Sequence, residues 1–242
     1  MLRVVSVNIE GRKHLESVAD FLKTEMPDVL CLQEVYEVDL PQFEEVIGGG
    51  AIFAPMHTRD GSQREGVALI SRFPYEATFE QYAGSKSEEL PTYDNTTFKS
   101  GVESQRYNLL TAHIEGEDGT YTIATTHLPV TEGGHVTDYQ IEAINNLIEC
   151  LEKVGEFVVL GDMNAPRGQQ SFSLLAERYR DNIPSHYESS LDPVLHRAPL
   201  IQKKDKMVDG CFSTPTYTIK QTRFQCGISD HCAICVEVTK SS

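Results

Sequence analysis

The residues able to do chemistry in this sequence gather at the ends of its apolar runs. Phe157, Val158, Val159 and Leu160 lead into Gly161, Asp162, Met163 and Asn164, so a carboxylate and an amide leave the run two positions apart. "SVNIEG" ends the first run in Asn8 and Glu10, and "DVLCLQEV" ends in Gln33 and Glu34. "IATTHLP" delivers His127, "MVDG" sets Asp209 inside an apolar stretch, and "SDH" places Asp230 and His231 before "CAICVEV". Each case alone has an ordinary explanation, since Asp and Asn close turns and cap helices. A single histidine is commonly structural, and His57 in "MHTRDG" is read that way. Six apolar runs meeting acid, amide or imidazole at one end describe an active site on the rim of a sheet. Side chains two apart on a strand share a face, so Asn8 with Glu10, and Asp162 with Asn164, are expected to project into one cleft. Carboxylate and amide oxygens are hard ligands that suit Mg²⁺ or Mn²⁺. A nearby imidazole can steady a phosphoryl oxyanion or give a proton.

The elements that must position these groups follow from hydrophobic period. "LRVVSVN" predicts a strand. Leu15, Val18, Ala19, Leu22 and Met26 predict a helix that Pro27 closes. "DVLCLQEV" reads as a strand buried on both faces, and Leu40 to Ile47 as a short helix stopped by Gly48, Gly49 and Gly50. "AIFAPM", "GVALISRF", "SQRYNLLTAHIE" and "TYTIATTHLPV" are successive strands, the last two joined by the turn "EGEDGT". Ile141, Ile144, Ile148 and Leu151 mark an amphipathic helix, "EFVVLGD" a strand, and Phe172, Leu175, Ala176 and Tyr179 another helix. "MVDGCFST", "TYTIKQTRF" and "HCAICVEVT" complete the strands. Residues 83–101 are expected to form a mobile surface loop. Residues 184–206 are similar, with "KKDK" as a solvated face. There is no internal repeat and no clear boundary, so residues 1–242 are taken as a single domain of the α/β class. Its architecture is two mixed sheets packed face to face with helices outside.

Composition narrows the function. The chain has 242 residues, 40% of them apolar, with a mean hydropathy of −0.31, which suits a globular protein with a real core. The net charge of −15 argues against avid, nonspecific duplex binding. No run approaches the ~18 apolar residues of a membrane helix, and the N-terminus turns polar too early for a secretory signal. A cytoplasmic location, no membrane and no inferable protein partner are the expectations. Most of the six cysteines sit in apolar runs and are read as buried thiols in a reducing compartment. Cys232 and Cys235 would face opposite sides of a strand, so their CxxC spacing does not indicate zinc.

"SVNIEG", "LQEV", "TTHLP", "GDMNAP", "VDGCF" and "SDH" occur in the order and spacing of the endonuclease/exonuclease/phosphatase superfamily, which the chain resembles from about Arg3 to Val238. The superfamily includes deoxyribonuclease I-like enzymes, apurinic-site endonucleases, 5′-tyrosyl-DNA phosphodiesterases, neutral sphingomyelinases, inositol polyphosphate 5-phosphatases and deadenylases. The motif set is most similar to the 5′-tyrosyl-DNA phosphodiesterase branch. The resemblance implies a four-layered α/β sandwich and a bound Mg²⁺ or Mn²⁺. It makes Glu34 the principal metal ligand, with Asn8 and Asp230 helping directly or through water, and Glu10 a further candidate. It makes Asp162 the group that orients or deprotonates water, and Asn164 the group that fixes phosphate or that water. His231 would stabilise the phosphate, held by Asp209, and His127 matches a histidine shared by many members. Gly161 is expected to let the chain turn where a side chain would crowd the substrate. Of Arg59, Arg64, Arg106 and Arg167, the last is the leading candidate for phosphate contact. The expected function is a metal-dependent phosphodiesterase acting on nucleic-acid ends or a small phosphodiester. The alternatives are a phosphomonoesterase for an inositol phosphate or similar headgroup, and a noncatalytic binding module.

Overall fold

Buried apolar strands alternate with amphipathic helices in two comparable halves. The computed structural model describes residues 1–197 and 206–240. The first half holds β1 (Leu2–Asn8), α1 (Leu15–Glu25), β2 (Val29–Tyr36), α2 (Leu40–Ile47), β3 (Gly50–Arg59) and β4 (Gln63–Ser71). Next come β5 (Tyr75–Gly84), α3 (Phe98–Glu103), β6 (Arg106–Gly116), β7 (Gly119–His127), α4 (Asp138–Val154), β8 (Val158–Asp162) and α5 (Gln170–Ala176). The chain ends with β9 (Arg180–Asp181), β10 (Asp209–Ser213), β11 (Tyr217–Gln225) and β12 (Ala233–Lys240). Two six-stranded sheets result, ordered β11-β12-β1-β2-β4-β3 and β5-β6-β7-β8-β10-β9.

The continuous apolar runs are explained by burial on both faces. In β1 and β2, Val4, Val29 and Cys31 enter the core between the sheets. The alternate residues Val5, Val7, Leu30 and Leu32 pack under α1 and α2. α1 buries Val18, Ala19 and Leu22, then stops where Met26 turns left-handed (φ 48°) and gives its N–H to Leu22 O. Pro27 cannot extend the helix. α4 starts at Thr137, whose side chain accepts the Gln140 N–H, and buries Ala143, Ile144, Leu147, Ile148 and Leu151 against the second sheet. The layers are therefore helix, sheet, sheet, helix.

Topology places the site. β1 and β2 run parallel, as do β7 and β8, so their C-terminal ends coincide. β12 is antiparallel to β1 and β10 to β8, so both begin where those strands end. Asn8 lies opposite Gln33, while Asp162 lies between His127 and Asp209. One rim thus collects residues from both sheets.

Three expectations change, and a fourth lies largely outside the described residues. β5 is an edge strand with half its residues exposed, including Glu76 and Glu80, and its polarity hid it from the apolar pattern. The supposed loop at 83–101 is tied down: Thr58 N donates to Pro91 O, Tyr93 N to Thr58 O, and Thr97 caps α3 through a capping box with Ser100. Cys226 and Cys232 form a disulfide, so the six thiols are not all free; Cys31, Cys150, Cys211 and Cys235 are free and buried. The "KKDK" cluster falls largely outside the described residues, with Lys206 alone inside them. No helix among the described residues is long and apolar enough to cross a membrane.

Candidate active site

The two amide–carboxylate pairs are built by one local device. The Asn8 Oδ1 accepts the Glu10 N–H at 3.1 Å, and the Asp162 Oδ1 accepts the Asn164 N–H at 2.9 Å. Each is an Asx-type turn in which a side chain bonds the backbone two residues on. The residue on the far side is left-handed in both, with φ 49° at Glu10 and 45° at Asn164. These pairs therefore face the cleft through matched turns at strand exits, not through continued strand alternation. Glu34 reaches the cleft by a third route. It has φ 54° and lies where the β2–β4 register slips between Leu32 and Val35. Such a bulge re-aims a side chain at the cost of local strain.

Asn8 sits at the centre. Its Nδ2 donates to Glu34 Oε1 at 3.0 Å and to Asp162 Oδ2 at 3.1 Å, linking a carboxylate of each sheet. With its Oδ1 accepting the Glu10 N–H, Asn8 is held in place to orient both carboxylates. Beneath it, the buried Gln33 Nε2 bonds Ser6 Oγ and Thr125 Oγ1, tying the sheets together. Two imidazoles face Asp162 Oδ2, His127 Nε2 at 3.6 Å and His231 Nε2 at 3.8 Å. His231 is fixed from behind by Asp209 Oδ2, 2.7 Å from Nδ1. The Asp209 N–H is itself held by Ser190 Oγ. Asn164 Nδ2 spans His127 Nε2 and Leu128 O, both at 3.0 Å. Ser229 Oγ donates to Asn8 O and sets the height of Asp230.

These groups line a cleft of about 270 Å³ with five carboxylates: Glu10, Glu34, Glu65, Asp162 and Asp230. Asn8 and Asp209 stand behind its wall. Arg167 does not reach it. The Arg167 guanidinium turns away, donating to Asp181 Oδ2 at 2.8 Å and Ile183 O at 2.9 Å, and covers the Phe172 ring. Gly161 also has a different reason from the expected one. A Cβ there would lie 2.0 Å from Thr126 O, so the crowding is with neighbouring β7 and not with substrate.

The structure adds a wall that the apolar runs did not announce. His57 and Glu65 are a cross-strand pair in the β3–β4 hairpin, 3.6 Å apart and both buried. Arg59 donates to Glu65 Oε2 at 2.9 Å and lies over the Tyr93 ring. The available signal was "RDGSQ", whose Asp60-Gly61 marks a hairpin; folding the two runs about it sets His57 against Glu65. Arg197 also reaches the cleft and pairs with Glu10 at 3.2 Å.

Charge distinguishes these acids. Burial, reinforced by Glu65 and Asp230, raises the Glu34 pKa despite His127 and Asn8. The Glu10 pKa is lowered: burial opposes ionisation, but Lys13, Arg197 and His14 outweigh it. Burial alone would lower the His231 pKa, but Asp209 and Asp162 hold it well above 6.5. The surrounding carboxylates thus favour the charged form of His231, which suits an anion. The donor set fits a hard divalent cation. Glu34 and Asp230 present carboxylate oxygens to one cleft, and an oxygen of Glu10 lies within 4.8 Å of one on Asp230. The under-compensated Glu34 carboxylate is the kind of group a cation stabilises.

No curated protein matches the chain. Among solved structures, it is similar to an endonuclease/exonuclease/phosphatase from Beutenbergia cavernae DSM 12333, with 17% identity and a TM-score of 0.74 over 100% of this chain and 72% of that one. It is also similar to D. rerio TDP2 complexed with single strand DNA product, with 16% identity and a TM-score of 0.67 over 99% of both chains. A third is a Bacteroides thetaiotaomicron VPI-5482 mannosyl-6-phosphatase, with 14% identity and a TM-score of 0.68 over 99% of this chain and 100% of that one. At these identities the likeness is one of fold. The family model described as Endonuclease/Exonuclease/phosphatase family matches residues 5–233, nearly the whole chain, and the protein belongs to that family.

Proposed function

We propose that the protein is a divalent-metal-dependent phosphodiesterase that attacks its substrate in line with water. The family consists of phosphoester hydrolases that generally use divalent metal ions. The observation that carries the reading is the Asn8 side chain, which holds Glu34 and Asp162 together while His127 and His231 face the same Asp162 oxygen. Glu34 and Asp230 would hold Mg²⁺ or Mn²⁺, with Glu10 beside them, and Asn8 would set the Glu34 carboxylate. The bound cation would offset charge on the phosphate. Asp162 takes the proton of the attacking water, its carboxylate oriented by the Asn164 N–H. His231, charged and fixed by Asp209, donates from Nε2 to a phosphate oxygen, and His127, whose Nε2 accepts from Asn164 Nδ2, flanks the Asp162 carboxylate on the other side.

Charge favours a diester. Five carboxylates line the cleft, and its two arginines, Arg59 and Arg197, are each paired with one of them. A singly charged diester meets less repulsion there than a doubly charged monoester. Nucleic-acid ends and small phosphodiesters are both within this class. The test is turnover of bis(p-nitrophenyl) phosphate with Mg²⁺ or Mn²⁺. Turnover that needs the metal and disappears in Asp162→Asn is the expected result. Equal turnover in chelator, or in the variant, would overturn the reading. Faster release of free phosphate from monoesters than of p-nitrophenol from the diester would replace it with a phosphomonoesterase.

A further inference from the structure

We propose that the Cys226–Cys232 disulfide positions the Asp230–His231 arm and thereby sets the site's affinity for its cation; this rests on the metal-dependent reading above. β11 and β12 form a hairpin whose last cross-strand pair is Gln225 with Ala233. The loop they leave, 226–232, is closed at its base by the disulfide. Its five inner residues are Gly227, Ile228, Ser229, Asp230 and His231. A metal-ligand candidate and the phosphate-facing imidazole therefore lie inside one covalent ring.

A hairpin loop of this length is ordinarily among the more mobile parts of a fold. Here the ring limits what the loop can do, and a few hydrogen bonds aim it. Cys232 N–H donates to Ser190 O at 2.8 Å, and Asp230 O accepts the Asp192 N–H at 2.8 Å. The Gly227 N–H donates to Asp192 Oδ2 at 2.6 Å, and Ser229 Oγ donates to Asn8 O at 2.7 Å. These ties fix the Asp230 end from below. On the β11 side, the loop is held by the Gly227 bond, by Ser17 Oγ donating to Ile228 O at 2.6 Å, by the buried Ile228 side chain and by the disulfide. Gly227 is left-handed (φ 82°), and a Cβ there would meet nothing within 4 Å, so packing does not restrain it. Cutting the sulfur bridge leaves the exposed start of the loop, Cys226 and Gly227, without its covalent tie to Cys232, ahead of the anchored Ile228. Restricting a loop's conformers is how a cross-link acts, and here the restricted loop carries site residues. Cys226 is exposed, so a reductant can reach the bond, while Cys232 is buried.

The test measures Mn²⁺ binding from the signal of free Mn²⁺, with no substrate present. Wild type is compared before and after reduction by a water-soluble phosphine that is then removed under inert gas. The phosphine takes up the oxygen of water as its two electrons pass to the sulfurs, and each sulfur gains a proton. Reduction is expected to weaken Mn²⁺ affinity about tenfold, the scale on which groups supporting metal ligands act. Reoxidation should restore it. Cys226→Ser should remain in the weak state and ignore the phosphine. Thermal unfolding in chelator is followed in parallel, because a bond that only braces the fold would lower Tm and leave Mn²⁺ affinity unchanged. Equal affinity in the two redox states overturns the proposal, as does finding six titratable thiols in the air-oxidised, denatured chain where four are expected. Oxidised wild type that binds Mn²⁺ no better than Glu34→Ala overturns the metal-dependent reading itself.

Discussion

Glu34 and Glu65 sit on neighbouring strands and line the same cleft, yet their carboxyls are driven in opposite directions. Burial raises the Glu34 pKa, and Glu65 and Asp230 add to it. Burial would raise Glu65 too, but His57 and Arg59 reverse that and hold it at about 2. Glu65 has a fitted cationic partner within the chain. The Glu34 carboxylate has a single hydrogen bond among the described residues, from Asn8, and otherwise faces an imidazole and like charges. The difference separates two uses of one residue type. A carboxylate matched by a neighbouring arginine holds the wall, and one left under-compensated is available to an added cation.

The strongest way to break the comparison is Glu34→Ala. It should remove metal-dependent turnover and Mn²⁺ binding together, while Tm in chelator holds or rises because a strained charge has gone. A clear fall in Tm would mean that Glu34 braces the fold as Glu65 does. Asp162→Asn should lower kcat by about 10²–10⁴-fold, the range for loss of a general base. Its steady-state kinetics should show KM changing far less than kcat. Glu65→Gln should do the reverse, costing about 3 kcal/mol in denaturant unfolding because Arg59 and His57 lose a buried partner. Its pH dependence has a definite sign. A carboxyl whose folded pKa is depressed stabilises fully above its unfolded value near 4.5, and the gain disappears as pH falls through about 2. Wild type should thus lose about 3 kcal/mol across that window relative to Glu65→Gln. The smallest kinetic effect belongs to Arg167→Ala. It should leave kcat/KM within about twofold while costing roughly 1–2 kcal/mol of stability from the bonds to Asp181 and Ile183.

The rim was readable because its signal is local. Asn8, Glu34, His127, Asp162 and Asp230 each interrupt or adjoin an apolar run, and parallel strand pairs carry such ends to one place. The His57–Glu65 pair was hidden because it arises from hairpin register, with seven residues of chain between the partners and neither at a strand exit. β5 was hidden because an edge strand need not be apolar. Arg167 misled because closeness in sequence to Asn164 says nothing of where a long side chain turns, and Asp181 offered it a nearer charge. The disulfide was missed because Cys226 and Cys232 meet only when β11 pairs with β12. A reading based on apolar runs took the cysteines as buried thiols, and Cys226 is exposed.

The strand order has a consequence for timing. In the first sheet, β1 is flanked by β2 and by β12, the last strand of the chain. Asn8 and Glu34 are made early, whereas Asp230 and His231 arrive with the final hairpin. A ribosome delivering this chain would release most of the second sheet before the site could exist. A product truncated before the β11–β12 loop would carry Glu34 and Asp162 without Asp230 or His231. Hydrolytic competence is thereby deferred until the β11–β12 hairpin has been made, so chains that stop short of it are predicted to be silent rather than weakly active.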